Sequence, residues 1–290
     1  MHYPRFLWKL YKFLIHLFTG KCEIERICYD NELKSKERTK LILLSLENSD
    51  KLKEINRIIQ SSEFDPQEIA QRIADEKQFN QLSLLFESNI LPILISTLEP
   101  LSKIQILKNQ LKTLYNQAYC NDNATHEEKL EEIWSSLRPG IRRKARLTSE
   151  WGDIGFQGKD PSTDFRGMGI LGLENLHYLS TQHNEKAQLI LTQANTKSVY
   201  PFSITGINIT SLLVQMLEKN QLCNHFYHSS PTVQQFNELY VKVFVYFNQY
   251  YQDKKPVNIM QFGNIMKEFT AVITERLNSP TYDPFTSLQL

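Results

Sequence analysis

One short stretch of the sequence, residues 151–172, concentrates residue types that can do chemistry. It holds Asp160, Asp164 and one arginine, Arg166, together with six of the ten glycines in the chain. A guanidinium group presents a planar fork of donors that matches a carboxylate or a phosphate group. Arg166 therefore has two interpretations: a structural ion pair with Asp160 or Asp164 that holds the loop, or an arginine offered to another molecule. Local chemistry alone favours the structural pair, because both acids are close in sequence.

The residues around Arg166 also predict the local backbone. Asp160 followed by Pro161 is typical of a helix start, since aspartate caps free N–H groups and proline suits the first helical position. Asp164 is expected near that N-terminus, where a negative charge is favoured. Upstream, glycine permits the tight or left-handed turns of a compact loop, and three positions are expected to use this freedom: Gly152, Gly155 and Gly158.

Three further glycines spell a G-x-G-x-x-G pattern: Gly167, Gly169 and Gly172. A dinucleotide-binding fingerprint requires a hydrophobic strand directly before this pattern, whereas residues 160–164 predict a helix start. This excludes a dinucleotide-binding loop. We expect the three glycines to lie early in one helix that reaches Leu179. Because glycine inside a helix costs about 1 kcal/mol relative to alanine, they should allow the close approach of another backbone.

The elements that must position this loop are expected to be helices. Ten glycines among 290 residues is about half the average frequency, and a many-stranded β fold needs glycine at many hairpins. Apolar residues recur at helical spacing through most of the chain. The predicted fold class is therefore all-α. A formal net charge of +1 gives no general attraction to nucleic acid, and no such partner is expected.

Capping signals and periodicity assign the individual helices. Helix starts are predicted at Asp65-Pro66 and at the capping boxes Thr125/Glu128 and Thr232/Gln235, and a helix end at Arg138-Pro139-Gly140. The periodic segments are 40–59 with a polar interruption at 47–51, 82–98 with a break or kink at Pro92, 104–115, 184–194, 203–217 and 259–277.

A short basic run follows the predicted helix end: Arg142, Arg143, Lys144 and Arg146. Such a run is usually a solvated connector. It can equally face an acidic partner or a lipid surface. The sequence alone leaves these interpretations open.

Residues 1–18 form an apolar segment interrupted by basic side chains. The apolar part, 6–18, is too short to span a bilayer, which takes about 20 residues, and it lacks the uninterrupted core of a signal peptide. Helical spacing places its basic residues on one face: Arg5, Lys9, Lys12 and His16. Two interpretations are equally open, an interfacial helix on an anionic membrane or a terminal helix buried in the core.

The four cysteines contain no C-x-x-C pair: Cys22, Cys28, Cys120 and Cys223. A chain of this length needs no disulfide staples, so reduced thiols in a cytoplasmic protein are expected. Cys223, His225 and His228 have ligand-like spacing. A closed zinc site needs four ligands, usually in two spaced pairs, and no second pair stands out. No metal site is therefore expected.

Residues 151–173 resemble the signature of the ELMO domain through two motifs, GFQG at 155–158 and DPSTDFRG at 160–167. Residues 19–27 resemble the N-terminal region of the short ELMO-domain-containing proteins, and 206–210 and 231–232 also match that group. The resemblance covers most of the chain and is weakest over 32–119. It implies a single, mostly helical ELMO-type domain with an N-terminal helical extension.

The resemblance also implies a function, that of a GTPase-activating protein for Arf-family and Arf-like small GTPases rather than an enzyme with its own substrate. It places the family's essential arginine on Arg166, which would stabilise the charge that develops on GTP during hydrolysis. GTP and Mg²⁺ would be carried by the partner GTPase, so no bound cofactor is expected. Supporting or partner-binding roles fall on Gln157, Gly158, Asp160, Asp164 and Gly167. The alternative is a non-catalytic adaptor that binds a small GTPase or its exchange factor.

The expected organisation has four parts: an amphipathic N-terminal helix at 1–20, a helical N-terminal region at 21–120, the ELMO domain at 125–278 and a flexible tail at 279–290. The expected location is the cytoplasm. Residues 1–18 would give peripheral contact with intracellular membranes if the interfacial interpretation holds.

Overall fold

A computed structural model describes residues 14–79, 90–196, 199–227, 231–279 and 282–288 of the chain. These residues form helices and connecting loops with no strand among them, which confirms the all-α fold class. The chain divides into two compact units. One comprises residues 1–106 with 226–231, and the other comprises 107–225 with 232–290.

The α-helices are numbered along the chain. They are α1 (Glu23–Tyr29), α2 (Ser35–Glu47), α3 (Lys53–Ser61), α4 (Pro66–Glu76), α5 (Ile90–Asn116), α6 (Ala124–Leu137), α7 (Gly169–Gln182), α8 (Asn184–Thr196), α9 (Phe202–Glu218), α10 (Cys223–Phe226), α11 (Val233–Lys254), α12 (Phe262–Asn278) and α13 (Pro284–Ser287). Four 3₁₀ helices span Asp50–Leu52, Ser149–Ile154, Pro161–Gly167 and Ile259–Gln261. Residues 14–19 are also helical.

In the first unit, the helices predicted from capping and periodicity are present. The polar interruption predicted at 47–51 separates α2 from α3. Asp65 caps α4, because its carboxylate accepts a hydrogen bond of 3.0 Å from Gln67 N. Ile69 and Ile73 lie one turn apart on the buried face of this helix, as helical periodicity requires.

Helix α5 corrects the expected break at Pro92. The two helices predicted at 82–98 and 104–115 form one continuous helix from Ile90, although residues 82–89 lie outside the described part. Pro92 lies in the first turn, where proline's missing N–H has no intrahelical acceptor. The helix is apolar and long enough to cross a bilayer, yet half of its most apolar window is buried in protein, as in a core helix.

Helix α7 lies at the centre of the second unit. It packs against α6, α8, α9 and α11, and its apolar side chains are almost completely buried: Ile170, Leu171, Leu173, Leu176 and Leu179. A buried hydrogen bond of 3.0 Å from Asn175 Nδ2 to Thr210 Oγ1 joins α7 to α9. The segment that contains Arg166 directly precedes this helix.

Helix α6 ends as predicted but begins differently. Its N-cap is Asn123, whose side chain accepts from the N–H groups of Thr125 and His126, so Thr125 is not the cap. Asparagine is among the strongest N-cap residues, and it precedes the threonine in the chain. The helix ends at Leu137, and Gly140 adopts a left-handed φ of 78° in the turn that follows.

The three glycines of the G-x-G-x-x-G pattern do not share one helix. Gly167 ends the 3₁₀ helix Pro161–Gly167, and Gly169 begins α7 with a left-handed φ of 49°. The expected close backbone approach occurs at Gly169. A Cβ there would lie 2.4 Å from Gln117 O and 2.5 Å from Tyr115 O. The next residue of α7, Ile170, also donates its backbone N–H to Gln117 O.

The C-terminal helices follow the predictions until the tail. Thr232 caps α11 by accepting from Gln235 N, and residues 241–245 are helical. The segment predicted to be flexible is folded where it is described. It forms α13, capped by Asp283, and the Leu288 side chain is buried while Lys242 Nζ donates to Leu288 O at 2.8 Å.

The Gly169 contact yields a test of the junction between the arginine segment and α7. We expect Gly169→Ala to lower the free energy of unfolding by about 2–4 kcal/mol, because alanine disfavours positive φ and its methyl group would collide with two carbonyl oxygens. Thermal unfolding followed by circular dichroism measures this. Gly152→Ala is the matched control, since no atom lies within 4 Å of its added Cβ. Equal stability of the two variants would contradict the packing described.

Candidate functional site

Arg166 lies on a long irregular segment, residues 141–168, which we call the arginine loop. The loop contains the 3₁₀ helices Ser149–Ile154 and Pro161–Gly167. Asp160 caps the second 3₁₀ helix through a hydrogen bond of 3.1 Å from Ser162 N, as its sequence predicted. Arg166 lies in the last turn of this helix, three residues before α7 begins at Gly169. The arginine is therefore placed by a short, separately anchored helix.

A continuous row of aromatic rings lies beneath the loop. Neighbouring ring centroids are 5.3–5.8 Å apart along the series Tyr119, Phe165, Phe156, Trp151 and Trp134. Separations and edge-on contacts of this kind are favourable for aromatic pairs. Phe165 is completely buried and directly precedes Arg166, which is exposed. The buried ring thus anchors the backbone at the position next to the arginine.

The guanidinium of Arg146 joins the loop to helix α6. It forms a two-pronged pair with Glu127, with Nε–Oε2 and Nη2–Oε1 distances of 2.5 and 2.8 Å. Its Nη1 donates to Asp160 Oδ1 at 3.1 Å, and Nη2 donates to Asn121 Oδ1 at 3.3 Å. Tyr119 completes the group by donating to Glu127 at 2.7 Å. Arg146 therefore connects α6 directly to the cap of the helix that carries Arg166.

Arg143 is also built into the structure. Its side chain is 8% exposed, it pairs with Glu131 at 2.5 Å, and its guanidinium carbon lies 3.8 Å from the ring centroid of Trp151. Cation–π contacts of this geometry are stabilising. Of the interpretations left open for the basic run, a solvated connector does not describe Arg143 and Arg146, because carboxylates of α6 and the ring of Trp151 hold them. The exposed members are Arg142 and Lys144.

Asp160 and Asp164 are both committed to the loop itself. Asp160 bonds Ser162 N and Arg146, while Asp164 Oδ2 accepts from Gln157 N at 2.8 Å. Among the described residues, no carboxylate lies within 4 Å of the Arg166 side chain and it forms no hydrogen bond. The structural ion pair that local chemistry favoured is therefore absent from this structure. Arg166 is exposed with its donors free.

The pKa values of the acidic groups follow from these contacts. Partial burial raises the pKa of Glu127, but hydrogen bonds from Arg146 and Tyr119 outweigh it and leave that pKa below its usual range. The pKa of Asp160 is also lowered, since bonds from Ser162 and Arg146 outweigh its burial. Burial raises the pKa of Asp164, opposed by Gln157 N and by the charge of Arg166. Of these three acids, Asp164 is the one whose pKa is affected by the charge of Arg166.

Gly155 fixes the loop to helix α9. It adopts a φ of 82°, and a Cβ there would lie 2.2 Å from Phe202 N. The carbonyl oxygens of Ile154 and Gly155 bind α9: Ile154 O accepts from Ser203 Oγ at 2.6 Å, and Gly155 O accepts from Ile204 N at 3.2 Å. The compact turn predicted from the glycines depends most on this position. Gly158 also has a positive φ, of 69°.

The other predicted site residues lie at the surface of the arginine loop. Gln157, Gly158 and Gly167 are exposed. Gln157 is tied to Asp164, two residues before Arg166, by its backbone N–H. This arrangement leaves the Gln157 side chain available to another molecule.

Two other features considered from the sequence are the Cys223, His225 and His228 cluster and the N-terminal segment 1–18. In the part of the chain that the structure describes, no group of three His, Cys, Asp or Glu residues is arranged to hold a metal. His225 Nε2 bonds Leu277 O at 2.6 Å, and His228 lies outside the described residues. Residues 1–13 also lie outside them. The apolar residues Leu14, Leu17 and Phe18 are exposed, and the interfacial interpretation stays a prediction.

Sequence reasoning did not identify the residues that brace the loop. Glu127, Glu131 and Tyr119 were assigned no role, and Arg143 and Arg146 were assigned only to a basic run. The Glu127–Arg146 contact spans 19 residues in sequence, and no local pattern connects them. The nearest available signal was the pair of tryptophans flanking the basic run, since tryptophan is the preferred partner of a stacked arginine.

Comparison with known proteins gives the family. The profile described as the ELMO/CED-12 family matches residues 109–266. The chain is 51% identical to ELMO domain-containing protein B of Dictyostelium discoideum over 95% of this chain and 96% of that protein. It is 30% and 33% identical to human ELMO domain-containing proteins 1 and 2, over 96% and 92% of this chain and 90% of each relative. No solved structure matches the chain.

The Arg146 contacts predict a pH-dependent brace. Because the pKa values of Glu127 and Asp160 are lowered by folding, their contribution to stability is present at neutral pH and is lost as the pH falls below about 4. Arg146→Ala should lower the free energy of unfolding by about 2 kcal/mol at pH 7, as expected for charged hydrogen bonds. The difference from the wild type should shrink toward pH 3.5. Thermal unfolding at several pH values measures both effects.

Arg138→Ala serves as the control for this variant. Arg138 has a similar exposure to Arg146, 32% against 29%, but makes one contact of 3.3 Å with the half-exposed Asp153. A pair of this kind contributes less than about 1 kcal/mol. Equal losses in the two variants, or a loss in Arg146→Ala that persists unchanged at pH 3.5, would contradict the brace.

Proposed function

The chain belongs to the ELMO/CED-12 family, and from that membership and the arginine loop we propose that it activates GTP hydrolysis by a small GTPase of the Arf or Arf-like class. The observation that carries the proposal is the state of Arg166. It is an exposed guanidinium, free of any carboxylate partner among the described residues, on a loop anchored to the two helices α6 and α9. Such a side chain can enter the active site of another protein.

The chemistry requires a cation at one moment of the reaction. As GTP is hydrolysed, negative charge accumulates on the γ-phosphate oxygens and the bridging oxygen to the β-phosphate. A guanidinium inserted from outside binds this charge more strongly in the transition state than in the ground state, which lowers the barrier. Arginines supplied in this way accelerate hydrolysis by about 10³–10⁵-fold. Arg166 is the proposed source of that charge.

The loop suits this role because each of its two acids near Arg166 already has other hydrogen-bond partners. Asp160 is held by Arg146 and Ser162 N, and Asp164 by Gln157 N. Arg166 therefore need not break an ion pair before it enters the GTPase. A preorganised group costs less free energy to insert than one that must be ordered on binding.

The proposal assigns the nucleotide and its metal to the partner. GTP and Mg²⁺ would be bound by the GTPase, and this chain would contribute Arg166 and the surface around Gln157 and Gly158. The proposed location is the cytoplasm, at membranes where GTPases of this class act. Peripheral membrane contact through residues 1–18 is part of the proposal.

The decisive test is single-turnover GTP hydrolysis by a panel of purified Arf and Arf-like GTPases with and without the protein. We expect at least one GTPase to be stimulated, and Arg166→Ala to reduce the stimulation by about 10³-fold or more. Arg166→Lys should lose most of it as well, because lysine keeps the charge but lacks the planar fork.

Arg57→Ala is the control for these variants. Arg57 is an exposed arginine of α3 whose contact with Glu54 is at the surface, so its removal should leave both stability and stimulation unchanged. Unchanged stimulation by Arg166→Ala would refute the assignment of Arg166, and the absence of stimulation across the panel would refute the proposed activity.

Binding to different nucleotide states separates an activator from an adaptor. An activator should bind the GDP–aluminium fluoride form, which resembles the transition state, more tightly than the form loaded with a non-hydrolysable GTP analogue. An adaptor should bind these two forms equally. Isothermal titration calorimetry with wild-type and Arg166→Ala protein measures this, and the preference should disappear in the variant.

A further inference from the structure

In the first part of the arginine loop, residues 141–147, two arginine side chains are held by the protein while two apolar side chains are exposed to solvent. We call this part the inverted segment. Arg143 and Arg146 point into the protein, where Glu131, Glu127 and the ring of Trp151 hold them. The side chains left at the surface include Ile141, 48% exposed, and Leu147, 59% exposed.

The backbone of this segment is fixed, so the exposed leucine is not a consequence of a loose loop. Trp134 Nε1 donates to Ile141 O at 2.7 Å, and Trp151 Nε1 donates to Arg146 O at 2.8 Å. On the other side of Leu147, Thr148 N donates to Lys159 O at 3.1 Å. Leu147 is thus held at the surface between two anchored residues. A rigidly presented apolar side chain costs little entropy to bury on binding.

The inverted segment is continuous with the surface that carries Arg166. The Thr148–Lys159 hydrogen bond joins it to residues 157–159, all exposed. The bond from Gln157 N to Asp164 joins those residues to the 3₁₀ helix of Arg166. A standard interface buries about 800 Å² on each partner. These two hydrogen bonds make the inverted segment part of the surface that a protein receiving Arg166 is expected to cover.

The charge of the surface indicates the chemistry of the partner. The arginine loop exposes four cations, Arg142, Lys144, Lys159 and Arg166. Most of the acids of the loop and of α6 beside it are paired within the structure, Asp160 and Glu127 with Arg146, Asp153 with Arg138 and Glu150 with Lys144. An apolar centre with a basic rim complements a partner with an apolar patch, acidic surroundings and a bound anion. A GTPase presenting its nucleotide phosphates to Arg166 supplies the anion.

We propose that Leu147, with the exposed residues 157–159, forms the docking surface for the GTP-loaded GTPase, and that Leu147 is its apolar anchor. This inference rests on the proposed function. In this division of roles, Leu147 determines how tightly the GTPase binds, and Arg166 determines how fast the bound GTPase hydrolyses GTP. The two residues therefore affect different kinetic quantities.

The test compares Leu147→Asp with Leu189→Asp. Leu189 lies on α8 and has the same exposed fraction, 59%, so both substitutions should leave the thermal stability unchanged. Single-turnover hydrolysis by a GTPase that responds to the wild type is measured against the concentration of activator. Leu147→Asp should raise the half-saturating concentration at least 10-fold with an unchanged maximal rate, and Leu189→Asp should change neither.

Each result decides a separate point. Equal behaviour of the two aspartate variants, with Arg166→Ala inactive, would overturn the docking surface and leave the proposed function standing. A lower maximal rate at an unchanged half-saturating concentration would also overturn it, since Leu147 would then act on the arginine. Where the wild type stimulates none of the panel, direct binding to the GTP-analogue forms takes the place of the rate. Loss of that binding in Leu147→Asp alone supports the surface, and no loss overturns it.

Discussion

The arrangement of the arginine loop depends on one ion-pair group, in which Arg146 holds Glu127 of α6 and Asp160 of the loop at the same time. Buried or half-buried carboxylates must find a positive partner, because leaving one unpaired is costly. In this loop one arginine meets that requirement for both acids, with Asp164 satisfied by a backbone N–H. Among the described residues, Arg166, two residues beyond Asp164, is therefore left without a carboxylate within 4 Å, although its charge still opposes the rise that burial causes in the pKa of Asp164.

A free arginine is useful only if its backbone cannot drift. Three sets of contacts hold the loop: the aromatic row that includes Phe165, the contacts of Gly155 with α9, and, just after the loop, the abutment of Gly169 on the end of α5. Glycine is needed at both abutments because the neighbouring backbone occupies the space of a Cβ. Close packing of neighbouring backbone accounts for Gly155 and Gly169, whereas no atom lies within 4 Å of a Cβ built at Gly152, Gly158 or Gly167.

The sequence was sufficient for the helical fold and for much of its punctuation. The cap at Asp65, the end at Leu137 and the cap at Thr232 were predictable because each depends on residues within one turn. Contacts between distant residues were not predictable. The pairing of Arg146 with Glu127 removed the basis for the expected Arg166 ion pair, since Asp160 had acquired another partner. The sequence shows which ion-pair partners are close along the chain, whereas the fold determines which of them are close in space.

The inverted segment could not be predicted from the sequence for the same reason, because its conformation depends on contacts with distant residues. A basic run in sequence implies a solvated surface only when nothing else in the fold needs the charges. Here α6 supplies Glu127 and Glu131, and the tryptophans supply ring faces and indole N–H groups, so the segment turns its arginines inward. Leu147, between the anchored Arg146 and Thr148, is left facing solvent with 59% of its surface exposed. Burying the leucine in an interface removes apolar area from water without disturbing those ion pairs. On the proposed function, such a surface would gain affinity from the apolar side chain and keep Arg166 for the chemistry of the partner, so that binding and rate stimulation would reside in different residues.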